Sequence, residues 1–329
     1  MSECPEFEFL LVLPRVRVQN ANAISSPLTH GIPSMTAFIG QMWALERKTH
    51  AAGLDWLFNA VGIVSHSHSE QVVEPTFPGA VTSFCLTRNP VDKAGNTAAI
   101  VEEGRIHLEI SLVYAVNSES LLGMDAKARQ EMADQLENLV AGMRLAGGSI
   151  LPRPRTRRHR PFIVDWTNSQ NRQDNLRRLR RMLLPGYFLI GRDDLLDQRH
   201  AELQQQSADA TRLDALLSLS RINWTYQENA EAAEAEGKKK WKHDRAGLGW
   251  IVPIPVGYAA LTDLLPAGSV SNARDMTTPF RFVESVYSVG EWRGAHRLQD
   301  PSQLLWWADT EPELYRCRNC GNLSSSSIY

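Results

Sequence analysis

Arginine at close spacing, with almost no acid beside it, is the first chemical signal in this chain. Between Arg144 and Arg181 there are eleven arginines, no lysine and two acids, Asp165 and Asp174, a local balance of +9. The remaining 24 basic and 35 acidic residues give −11, so the net charge of −2 hides the asymmetry. A block of one sign draws a polyanion. Arginine suits phosphate and bases better than lysine, because its planar fork binds two oxygens at once and stacks. The plainer use of such a block is a solvated surface.

Smaller groupings carry other chemistry. Arg144-Leu-Ala-Gly147-Gly148-Ser149 places an arginine beside two glycines whose backbone N–H groups can approach a phosphate or sugar, and it competes with an ordinary helix-ending turn. No Lys-Ser/Thr follows, so it is not a Walker loop. His66-Ser67-His68 alternates as two imidazoles on one side of a strand would, for metal or acid-base work, although an exposed loop explains it as well. Cys317-x-x-Cys320 is half of a zinc ribbon without a second pair of ligands. Trp306-Trp307 and Phe280-Arg281-Phe282 suit base stacking or core packing.

The elements that position these residues read as follows. Residues 6–18 predict a central strand, apolar on both faces to Leu13, after which Arg15-Val-Arg17-Val alternates and turns Arg15 and Arg17 outward. A polar loop over 19–34 leads to a helix capped by Ser34, with Phe38, Met42 and Leu45 on one face. Strands are predicted over 60–65, 81–88 and 106–114, with a turn at 88–96. Asp125 starts a helix carrying Met132, Leu136, Leu139, Val140 and Met143 at helical spacing.

Beyond the Arg-Pro tract at 153–161, helices are predicted over 174–184, with Leu176, Leu179 and Leu183 inward, and over 193–206 and 211–219. Residues 228–242 read as a mobile surface loop, and 250–255 as a strand. The order satisfies an α+β fold: an antiparallel sheet of the ferredoxin or RNA-recognition type with helices on one side. No apolar run reaches the ~18 residues of a membrane span. Four scattered cysteines argue against a disulfide framework, so a reducing, cytoplasmic location is expected.

Several strings in order carry a specific resemblance. Leu13-Pro14-Arg15 with Gln19 to Thr29, Leu86 to Pro90 with Thr97 to Arg105, Met143 to Pro152, Arg177 to Gly186, Trp250 to Tyr258, Asn272 to Asp275, Arg281 to Glu284 and Gly290-Glu291-Trp292 are similar to the Cas-five-family (RAMP-superfamily) subunits of type I-F CRISPR surveillance complexes. The resemblance runs from about Leu10 to Trp307. It implies a non-catalytic RNA-binding scaffold that needs no cofactor and holds the 5′ handle of the CRISPR RNA with the large Csy subunit. A Cas-seven-family backbone subunit lies beside it, and target double-stranded DNA arrives through the assembled complex.

The resemblance also implies an RNA-recognition-motif core over 1–150 with a β-hairpin thumb around 81–116. A helical insertion over 151–248 includes the loop 227–245, and 249–329 returns to the core. The RNA-facing candidates are Arg15, Arg17, Gln19, Asn20, Asn22, Ser25, Ser26, His30, Arg88, Asn89, Thr97, Arg105, Arg144, Gly147, Gly148 and Ser149. Arg177, Arg178, Arg181, Arg274 and Arg281 are candidates for further nucleic-acid phosphate contacts. Two other readings stand beside it: a metal-independent endoribonuclease using His30, His66 or His68 as acid and base, and a duplex-DNA-binding module using the arginine helix. Cys317 and Cys320 remain the weak zinc alternative.

Overall fold

The computed structural model describes residues 3–74, 77, 81–88, 91, 94–97, 100–152, 154, 156–226, 241–273 and 275–322. Asn89, Arg274, much of the 88–96 turn and most of the 228–242 loop lie outside them. The described residues form an α+β fold around an eleven-stranded antiparallel sheet. Its strands are β1 (Phe9–Asn22), β2 (Leu57–Glu70), β3 (Arg105–Asn117), β4 (Arg144–Leu145), β5 (Gly148–Ile150), β6 (Phe162–Asp165), β7 (Tyr187–Gly191), β8 (Trp250–Ala260), β9 (Val283–Gly294), β10 (Leu305–Glu311) and β11 (Leu314–Asn319). The helices are α1 (Met35–Ala51), α2 (Ala126–Ala141), α3 (Arg172–Leu183), α4 (Asp193–Gln206) and α5 (Arg212–Leu219).

The sheet runs β4-β5-β1-β3-β2-β7-β9-β8-β11-β10, and β6 extends the outer edge of β1 beyond β5. The far edge of β2 pairs twice, with β7 at Val64 and Ser65 and with β10 at Val61 and Gly62. Strands β2, β7, β9, β8, β11 and β10 therefore close a six-membered circuit. Trp306 is buried there and donates its indole N–H to Leu189 O at 2.9 Å. A closed circuit leaves its strands no free edge.

Phe9 to Leu13 are fully buried, as a strand apolar on both faces requires. Leu11 and Leu13 meet Phe38, Met42 and Leu45 of α1 and Leu136 and Val140 of α2. Leu10 and Val12 meet Phe162, Val164 and the inward Leu179 and Leu183 of α3. Each such leucine contributes about 1.5 to 3 kcal/mol when fully buried. Ser34 and Asp125 cap α1 and α2 as their positions predict, accepting from Thr36 N and Ala128 N.

Helices on one side only is the expectation that fails. The second face of β1 is equally apolar in its first half, and α3 covers it. The expected strand over 81–88 is also broken at Cys85. Ser83–Phe84 pairs with Val72–Val73, and Leu86–Arg88 pairs with Ile100–Glu102, as two short ribbons between β2 and β3. Finally, Cys4 and Cys320 are joined by a disulfide, a pairing that their spacing in the sequence does not predict.

Candidate nucleic-acid interface

The second face of the sheet is covered by α3 at one end and left open at the other, where β1, β3 and β2 carry polar side chains. Strand alternation places them: Val18, Leu108 and Leu145 turn toward α1 and α2, so Arg17, Gln19, His107, Glu109, Arg144 and Ser149 belong to the opposite face. Three rows cross this open end.

The innermost row is consumed by the fold. A bulge between Leu13 and Val16 puts Arg15 at φ 51° and turns its side chain inward, where only 11% of it stays exposed. Its guanidinium meets Glu109 at 2.5 Å and donates to Leu184 O at 3.2 Å, while its backbone N–H donates to Ser111 Oγ at 3.1 Å. Ser111 can donate to His66 Nε2 at 2.7 Å, and His66 Nδ1 to Pro185 O at 2.6 Å. This corrects the outward Arg15 of simple alternation, because one extra residue resets the period.

His66 falls at the second bulge, between Ser65 and Ser67. Burial holds its pKa below the ordinary value, and the nearby Arg15 and Arg158 add to that, against the Pro185 hydrogen bond and Glu109. Both nitrogens are engaged. His30 sits apart, 2.9 Å from Glu70 and edge-on to Phe84. His66, His68 and His30 are thus not gathered into one acid-base set.

The second row is Arg17, Glu109 and Ser67, in register across β1, β3 and β2. Arg17 is exposed and has no ion pair among the described residues. The outer row is Arg144, Ser149 and Gln19 across β4, β5 and β1, continued beyond a bulge by His107 and Ser69. Asn20, at φ 57°, donates its backbone N–H to His107 Nδ1 at 3.2 Å, and the Gln71 amide lies 2.5 Å from Asn20 Oδ1 and 3.1 Å from His107 Nε2. Gln71 and His107 escape a reading by motif. The only sequence signal for His107 is its polar place in an alternating strand.

The glycine loop proves to be the tip of the β4–β5 hairpin. Ala146 and Gly147 both have positive φ, 47° and 78°, as a tight two-residue turn demands. Gly148 is required for another reason: a Cβ there would stand 2.7 Å from Ala21 N and 2.8 Å from Gln19 O. Arg144 donates to Gly147 O at 3.1 Å and remains exposed. Neither glycine needs a ligand to explain it.

The other candidates disperse. Asn22 closes on Ile24 through two hydrogen bonds, Ser25 Oγ accepts from Ser34 N, and Ser26 is buried against Thr29. Arg105 pairs with Glu103 at 3.0 Å. Thr97 is exposed, and Arg88 ends a ribbon strand. Arg281 donates to Pro312 O, Arg177 pairs with Asp174 at 3.1 Å, and Arg178 lies over the Phe162 ring at 4.8 Å. Trp306 and Trp307 are buried, which settles them as core.

Cys317 and Cys320 do not present two thiolates. Cys320 is bonded to Cys4, and burial pushes the Cys317 thiol up to about 12. Among the described residues, no group of three His, Cys, Asp or Glu side chains is arranged to hold a metal ion. Among them, too, no helix is long and apolar enough to cross a membrane.

A family model described as CRISPR-associated protein (Cas_Csy2) matches residues 11–317. The CRISPR-associated protein Csy2 of Pseudomonas aeruginosa (strain UCBPP-PA14) is 46% identical to this chain over 315 residues, covering 94% of each.

Proposed function

The chain belongs to the Csy2 family of CRISPR-associated proteins, and from that membership we propose that it is a non-catalytic, RNA-binding structural subunit of the type I-F CRISPR surveillance complex. In this reading it works in the cytoplasm and holds the 5′ handle of the CRISPR RNA together with the large Csy subunit. A Cas-seven-family backbone subunit continues from it along the guide, and target double-stranded DNA is met by the assembled particle. The unit β1-α1-β2-β3-α2-β5, with sheet order β5-β1-β3-β2, is read as an RNA-recognition-like core. The two ribbons between β2 and β3 are read as its thumb, and 151–248 as an insertion.

The observation that carries the reading is the pair of exposed polar rows on the open end of the sheet. Arg17 and Arg144 have no ion pair among the described residues, and they flank the Gln19 amide. Single-stranded RNA is held by such a combination: arginines neutralise phosphates, while amide groups reach unstacked base edges. The engaged state of His66 supports a non-catalytic role, since a group with both nitrogens bonded to the fold offers no site for a substrate proton.

Replacing Arg17 and Arg144 by glutamine tests the interface. The slope of log K against log salt for handle RNA is expected to fall by about 1.4, the value for two single-strand phosphates. An unchanged slope overturns the interface. A cleavage assay with His66→Ala and His68→Ala tests the endoribonuclease reading, and loss of an RNA-cutting activity with binding retained would overturn the non-catalytic one.

A further inference from the structure

The arginine block is divided by the fold into spent and unspent members. Arg160 pairs with Asp134 at 2.6 Å, Arg172 donates to Trp166 O, and Arg180 donates to Leu298 O. Arg177 is paired with Asp174, as described above. Arg157 and Arg181 are exposed and have no partner among the described residues. Arg158 is steered by a carbonyl, Leu184 O at 3.0 Å, which fixes its direction without neutralising it. Arg178 is held over the Phe162 ring.

These residues face one another. Arg157, Arg158, Arg160, Arg178 and Arg181 line a single open groove over Phe162, between the 156–161 segment and α3; among the described residues no carboxylate lines it, and Asp134 beside it is taken by Arg160. Four cations without a carboxylate partner in one groove repel each other, and a bound anion relieves that repulsion. Two of the four are already oriented, so less side-chain freedom is lost when a ligand binds. The groove is separate from the open sheet face: the same segment turns Pro154 and His159 toward Arg17 and Gln19 on one side, and Arg157, Arg158 and Arg160 toward α3 on the other.

We propose that this groove is a second nucleic-acid site, which takes the phosphodiester backbone of a strand through Arg157, Arg158, Arg178 and Arg181. The favoured ligand is a backbone rather than a single phosphate, because the cations are spread along an open channel instead of converging in an enclosed cavity. The site reads charge and not sequence, since among the described residues no side-chain amide or hydroxyl other than that of Gln130 lines it. The inference does not rest on the handle-binding role of the sheet face.

Arg157→Gln with Arg181→Gln is the test, because neither side chain has a structural partner to lose. The full chain, with any subunits that co-purify, is titrated against a labelled 20-nucleotide RNA and a labelled 20-base-pair DNA at several salt concentrations. The slope of log K against log salt is expected to fall by about 1.8 for the duplex or about 1.4 for the single strand, and the probe that responds identifies the source of the backbone. Unchanged slopes for both probes overturn the proposal. So does an affinity of the unsubstituted chain for polyglutamate that exceeds its affinity for both nucleic-acid probes, which would make the groove an acidic-peptide site. Arg17→Gln with Arg144→Gln, run alongside, separates failure of this groove from failure of the sheet face.

Discussion

Arg15 and Arg17 are two positions apart on one strand, yet one is buried in an ion pair and the other faces solvent. Removing the first with Arg15→Ala leaves Glu109 facing a low-dielectric wall. It is expected to cost roughly 2 to 3 kcal/mol in denaturant unfolding, less than the roughly 3 to 5 kcal/mol for opening a fully buried pair, since Glu109 is partly exposed and can rehydrate. Arg17→Ala is expected to change stability by less than about 0.5 kcal/mol. His66 gives a pH signature. Its folded pKa is depressed, so its contribution is complete above the ordinary value of 6.5 and is lost as the pH falls from there toward the lowered value, where only the unfolded chain is protonated. His66→Gln is expected to flatten unfolding free energy against pH in that window; a profile identical to that of the unsubstituted chain would contradict the buried neutral imidazole. Arginine-rich chemistry was legible in the sequence, but which arginines remain free was not. That depends on bulges and on partners a hundred residues away, such as Glu109 for Arg15, which no local period encodes.

At the scale of elements, local signals served well wherever local physics decided the outcome. Ser34, Asp125 and Thr211 are legible helix starts because a side-chain oxygen satisfies a nearby backbone donor. Alternation along residues 106–114 reveals β3, because every second side chain enters the core. Strand order was not legible, because β6 and the six-strand circuit are set by long-range pairing. The 81–88 segment looks like one strand in sequence, but its apolar residues belong to two ribbons. The β4–β5 hairpin distinguishes its two glycines. Gly148→Ala forces a Cβ into the backbone of β1 and is expected to destabilise by about 1 to 3 kcal/mol. Gly147→Ala meets open space and strains only its φ, at about 1 kcal/mol. Thermal unfolding of both variants checks the ranking, and a reversed order would contradict the turn.

At the scale of the molecule, the Cys4–Cys320 bond spans 316 positions and ties the chain's first described residues to the turn that follows its last strand. Cys4→Ser is expected to lower stability by about 2 to 4 kcal/mol under oxidising conditions and to make no difference in reductant. Equal melting of the two proteins without reductant would show that the bond is not formed in solution. The sequence could not foretell this pairing, since pairing follows from where two ends of a chain meet.

The double use of the far edge of β2 has a consequence in time. Gly62 waits for Leu305, and ribosomes add about 5 to 20 residues per second, so tens of seconds pass between synthesis of β2 and arrival of the strand that covers its lower half. During that interval the nascent chain carries an open, apolar edge. Its yield in the cell is therefore set less by final stability than by what shields that edge while translation finishes.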